Sequence, residues 1–205
     1  METTISTITA LFQRFSRCPD NVPSRHYRFF VFGNYFYFFD IFAHGTAILV
    51  NSFYGVHGVA LFNVGSVLIY ILALYFNFQG RLILSLALLL IETVTYVTIQ
   101  SLVTGNVGIN PVLLLMVMVV FFSSIERLSL KLALGITISN IYALLELQVR
   151  YYHPLISLPS SAMYGINLSA SLSVALIAGY VAYFFSISAA TAEAALERER
   201  QRSES

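Results

Sequence analysis

Six apolar runs, bounded by short polar breaks, organise this chain: about 29–50, 56–77, 82–103, 111–124, 128–149 and 166–188. Gly, Pro, Asn, Ser and basic residues fill the breaks. A helical segment of ~20 apolar residues rises about 30 Å, the thickness of a bilayer's hydrocarbon core. The pattern therefore predicts an all-α, polytopic membrane protein with six transmembrane helices. The fourth run is the weakest of them. Asn110 is a plausible cap and Pro111 a plausible first helical residue, but ~15 residues give only ~22 Å. That segment must extend at one end or sit in a thinned region.

Ahead of the first run, Ile5, Ile8, Phe12 and Phe15 recur at helical spacing with Arg14 and Arg17 beside them. Residues 3–17 thus read as a short amphipathic helix on the inner membrane surface, or else as a frayed terminus. Pro19, Asp20, Asn21 and Pro23 end it. Three parts follow: a cytoplasmic amphipathic segment at 1–28, a six-helix membrane domain at 29–188, and a cytoplasmic linker or signalling helix at 189–205.

Composition strengthens this picture. Of the 205 residues only 10% are charged, against about 25% in a soluble domain. From Phe29 to Arg81 the one formal charge is Asp40, and between Arg81 and Glu126 it is Glu92. Basic residues set the orientation. With the N-terminus inside, ten of the 11 lie on the cytoplasmic side, including Arg25, Arg81, Arg127, Lys131 and Arg198, and only Arg150 lies outside. The expected location is the inner (plasma) membrane, multi-pass, with both termini cytoplasmic.

Several classes fall away. A net charge of +1 offers no footprint for nucleic acid. The single cysteine, Cys18, excludes an intrachain disulfide, and no Cys or His run has zinc spacing. There is no cleaved-signal pattern, Gly-rich phosphate loop, nucleophile elbow or HExxH. No catalytic residue is identified. No stretch outside the runs is long enough for a separate domain, so an external signal must touch helix ends and loops or arrive through the lipid.

Ionisable groups inside a membrane are costly and usually functional. Asp40 and His44 share a face of the first run, Glu92 lies mid-depth in the third, and Glu146 lies near the outer end of the fifth. His57 opens the second run and His153 lies in an outer loop. The outer half is thus expected to gather His44, His57 and Glu146, with His153 or Asp40. Three readings fit this set: a polar network fixing helix order, a pocket for a small or lipid-like ligand, and a metal or haem site. Imidazole and carboxylate make His44, His57 and Glu146 metal candidates. A bis-histidine haem needs two facing buried imidazoles, and only His44 and His57 lie near span positions. In the sixth run Ser171, Ala175 and Gly179 form a small-residue row suited to close helix packing, within the bundle or in a homodimer.

The end of the chain, from Ala189 to Ser205, contains strong helix formers and no Gly or Pro. Glu197/Arg200, Glu199/Arg202 and Arg200/Glu204 pair opposite charges at helical spacing. The sixth helix is therefore expected to run unbroken into a charged cytoplasmic helix, with Glu193, Leu196, Glu197 and Arg200 as signal-relay positions. The run Ala194-Ala-Leu-Glu-Arg-Glu-Arg-Gln-Arg-Ser-Glu-Ser205 resembles the linker helix of membrane-anchored bacterial class III adenylate cyclases, where it follows six membrane spans. The resemblance implies that this chain is the anchor and receptor part. The catalytic domain, with its ATP and Mg or Mn, would lie downstream of Ser205, so this chain holds no cofactor of its own. It also implies a homodimer, because each active site in that family forms between two catalytic domains. A sensor for a histidine kinase or a diguanylate cyclase is the alternative. A small transporter or a haem membrane protein stands further off.

Overall fold

The computed structural model describes residues 15, 17–105, 108–151, 153–156 and 160–204. Residues 1–14, and with them most of the expected amphipathic segment, lie outside the described residues. Among the described residues there are six α-helices and no strand. A 3-10 turn, Ser24–His26, leads into α1 (Tyr27–Phe53), α2 (His57–Phe78), α3 (Leu82–Thr104), α4 (Val112–Phe122), α5 (Leu128–Tyr151) and α6 (Ser160–Glu204).

Glycine and proline set several of these boundaries. Gly80 ends α2 with φ +74°, a conformation L side chains rarely adopt. The Arg81 N–H then donates back to Phe76 O at 2.9 Å, closing the helix end. A Cβ on Gly80 would also fall 2.6 Å from Asn21 Oδ1, so any other residue here would have to displace the Asn21 side chain as well as adopt the positive φ. Pro111 adopts helical angles just before α4. Asn110, expected as its cap, makes no capping bond. It accepts from Ser101 on α3 and donates to Glu146 on α5, so it ties helices together instead.

Four helical segments are long and apolar enough to cross a membrane: His57–Phe78, Leu82–Thr104, Leu128–Gln148 and Met163–Ile187. Two of the six expected spans, α1 and α4, fall outside that set. α4 has 11 residues and rises only about 16 Å. α1, at 27 residues, is long enough, but Asn, Tyr, Asp and His dilute its apolar character. Those polar groups turn inward: Asn34, Asp40, His44 and Asn51 are buried while Phe42, Leu49 and Phe53 are exposed.

That inversion extends through the molecule. Asn63, Asn77, Ser85, Glu92 and Gln100 are buried, whereas Leu61, Leu68, Ile83, Ile91, Leu144 and Leu176 face outward. In water so apolar an exterior would be a liability; it is compatible with a hydrocarbon surround. Polar contacts then join helices. The Asn77 amide donates to Phe30 O and to Asn34 Oδ1, both at 2.8 Å, where α1 and α2 approach closely at Gly33. Ser85 Oγ donates to Ala73 O at 2.7 Å between α2 and α3.

Neighbouring helices pack in pairs, α1 on α2, α2 on α3 and α4 on α5, and α4 also meets α3 and α6. One end of the bundle gathers Arg25, Arg81, Arg127 and Lys131. There Asn21 reaches Gln79 O, Arg25 pairs with Glu126, and Lys131 Nζ donates to Phe121 O and Ser123 O at the end of α4. The opposite end joins Leu155 and Ile156 to the last carbonyls of α3, and Gly108 to Asn167. α6 runs from that second end to the first, where Tyr180 stacks on Phe32 and Phe185 on Phe122.

Candidate functional site

A set of polar side chains recurs on the inward faces of three apolar helices. α1 contributes Asp40 and His44, one turn apart and 7% and 6% exposed. α2 contributes Asn63, Ser66 and Tyr70, and α3 contributes Glu92, Thr93, Tyr96 and Gln100. Several of these line a cavity of about 350 Å³ between α1, α3 and α6. Asp40, His44, Tyr70, Glu92, Tyr96 and Gln100 supply its polar lining. Phe36 and Phe39 from α1 and Ile166, Ala170, Leu176 and Ile177 from α6 supply apolar walls.

His44 is held from several sides. Its Nδ1 lies 2.8 Å from Asn63 Oδ1. Because the Asn63 amide nitrogen donates to Val59 O, its oxygen is the acceptor, and His44 Nδ1 carries the proton. The imidazole stacks on Tyr70 at 5.2 Å and meets the Tyr96 ring edge-on at 4.5 Å. Nε2 is then left 3.8 Å from Glu92 Oε1, an ion pair once the ring takes a second proton. Tyr70 Oη and Thr93 Oγ1 share a hydrogen bond of 3.1 Å at the α2–α3 contact.

The acids are less well provided for. Glu92 is 2% exposed, and neither of its carboxylate oxygens has a hydrogen-bond partner among the described residues. The same holds for Asp40 Oδ2 and Gln100 Oε1. A buried polar atom left unpaired costs about 1–3 kcal/mol, and more when charged. Several such atoms around one cavity are expensive to retain without a use.

The structure brings together Asp40, His44 and Glu92, from two helices. It does not bring the expected outer set together. His57 is exposed at the first position of α2, and His153 is exposed in its loop. Glu146 accepts from Asn110 at 3.1 Å, away from the cavity lining. The metal candidates His44, His57 and Glu146 therefore stand apart, and no cluster suited to a metal ion occurs among the described residues. Of the four histidines only His44 is buried, so a second axial imidazole for haem is not at hand.

Ser171, Ala175 and Gly179 lie on the outer face of α6, and a Cβ on Gly179 would meet nothing within 4 Å. Glu193, Leu196, Glu197 and Arg200 lie within α6, their side chains outside the described ones. Sequence reasoning passed over Asn63, Tyr70, Tyr96 and Gln100. Their signal was spacing: Asn63, Ser66 and Tyr70 step three and four residues along α2, and Glu92, Tyr96 and Gln100 step four along α3.

No protein-family model matches the chain, and no curated protein or solved structure matches it. Fold and site together define an all-helical protein with four helices able to cross a membrane. Its buried, acid-lined cavity is walled on one side by its longest helix.

Proposed function

We propose that this chain is the membrane anchor and receptor part of a signalling protein of the adenylate cyclase kind, passing a signal to a downstream catalytic domain through α6. In this reading it crosses the plasma membrane six times with both ends cytoplasmic. α1 has the length for one crossing and an apolar outer face, and α4 is a short one in a locally thinned bilayer. Gathering of Arg25, Arg81, Arg127 and Lys131 at one end of the bundle supports that orientation. The nucleotide and the divalent cation belong to the catalytic domain. Two chains would meet along the outward row of Ser171, Ala175 and Gly179, where small side chains allow close approach in lipid.

The continuity of α6 carries the proposal. The same helix walls the cavity at Ile166, Ala170, Leu176 and Ile177 and runs on without a break to Glu204. Residues 186–204 extend about 28 Å beyond the last ring contact with α4. A change in cavity packing therefore displaces a stiff rod, and a two-state dimeric rod is an adequate switch.

The test is a fusion of the chain to a dimeric cyclase domain, reconstituted in nanodiscs. Ala170→Phe fills the cavity from the α6 side and is expected to change cyclase output at least about twofold. Leu172→Phe, on the exposed side of the same helix, is expected to leave it unchanged. Equal output from the parent fusion and both variants would refute a coupling between cavity and rod.

A further inference from the structure

We infer that the cavity between α1, α3 and α6 binds a small organic monocation with an apolar body, such as an amine or quaternary ammonium, entering from the lipid. Its signalling consequence rests on the receptor reading above; its binding does not. Charge comes first. Two carboxyl groups, Asp40 and Glu92, share the cavity with a single imidazole, His44. With both acids ionised, the site lacks one positive charge even when His44 is protonated opposite Glu92. One monovalent cation balances it, whereas a divalent ion would over-compensate. The acids also offer few ligand atoms for a metal, whose demand for several oxygen donors exceeds what the described residues bring together.

The unpartnered atoms say where the head group sits. Asp40 Oδ2 and both Glu92 oxygens are buried on residues that line the cavity and have no hydrogen-bond partner among the described residues. The nearest cationic group is His44 Nε2, 3.8 Å from Glu92 Oε1. An ionised carboxylate is not stable in such surroundings without a counter-charge. An alkylated ammonium is the counter-charge least costly to strip of water, and the aromatic residues Tyr96, Phe36 and Phe39 line the same cavity, aromatic rings being groups whose faces attract cations.

Shape indicates the rest of the molecule. A second cavity of about 240 Å³ adjoins the first, sharing Phe36, Phe39, Leu176 and Ile177 and adding Tyr35 and Tyr180. No charged residue lines it, so it suits an apolar body attached to the head group. The entry lies between α1 and α6, where Phe42 is 71% and Leu176 66% exposed. A ligand dissolved in the bilayer reaches the acids by that route without crossing water.

Benzyltrimethylammonium and its uncharged isostere neopentylbenzene form the test pair, measured by equilibrium dialysis on the full chain in phosphatidylcholine nanodiscs, with empty nanodiscs subtracted. The expected result is saturable binding of the cation, with the isostere at least roughly tenfold weaker. Asp40→Asn and Glu92→Gln, which keep shape and remove charge, should each weaken the cation roughly tenfold and leave the isostere unchanged. Absent or unsaturable cation binding, equal binding of the two probes, or full affinity in both variants would overturn the assignment. Should neither variant fold, the two probes on the unaltered chain still decide it. Relay through α6 is read without any probe, so failure of either idea leaves the other standing.

Discussion

At the scale of single residues, polar side chains do two different jobs, and the structure separates them. Asn77 uses both hydrogens of its amide nitrogen, bridging Phe30 O and Asn34 at the close approach of α1 and α2, while its own Oδ1 has no partner among the described residues. Replacing it removes both bonds and leaves buried acceptors behind. Asn77→Leu should therefore cost about 2–4 kcal/mol, measured as a shift in the unfolding midpoint in mixed micelles. Arg25 and Glu126 form the opposite case. Their pair is 67% and 64% exposed, and a surface ion pair is worth about 0–1 kcal/mol. Glu126→Gln should accordingly move the same midpoint by less than about 1 kcal/mol. A larger loss at Glu126 than at Asn77 would mean that the stabilising contacts have been ranked wrongly. Asp40 and Glu92 belong to neither group, since they hold buried oxygens with no hydrogen-bond partner among the described residues.

At the scale of elements, the helix boundaries were legible because apolar runs here end at glycine, proline or charge. α2 and α3 begin and end within about two residues of the runs that predict them, a margin normal for helix ends. α4 is shorter than its run because Ser123 turns extended and its carbonyl is taken by Lys131. The site was legible only in part. Asp40 and His44 lie on one helix at i,i+4, so their shared face follows from geometry. Glu92 joins them from α3, and its arrival depends on how α1 and α3 are rotated, which one-dimensional spacing does not encode. His57 and Glu146 failed to join for the same reason: similar depth does not place two residues on facing sides. α6 was legible at its charged end, which follows from helix formers uninterrupted by Gly or Pro, but it starts at Ser160, six residues ahead of its run.

At the scale of the whole molecule, the inverted distribution of polar and apolar residues governs both stability and assembly. In a hydrocarbon surround, with which this exterior is compatible, helices gain little from burying leucine, and close packing of small residues gains importance. In the proposed dimer, a second copy meets this one at the outward row of Ser171, Ala175 and Gly179. In a Cys18→Ser background, Ala175→Cys should give disulfide-linked dimers on mild oxidation in nanodiscs, and Leu172→Cys should give few. Dimers in equal yield at both positions would point to random collision. The small row would then be lipid-facing surface without a partner.

The central claim is that α6 transmits as a rigid helix what happens beside the cavity. Each inserted residue rotates everything downstream by about 100°, while seven residues restore the phase to within about 20°. The most direct measurement is therefore cyclase output from fusions carrying one, two or seven residues inserted after Ala190. Transmission through a continuous helix predicts altered output for one and two, and recovery for seven. Output that stays constant through the series, or drifts only with length, would contradict it.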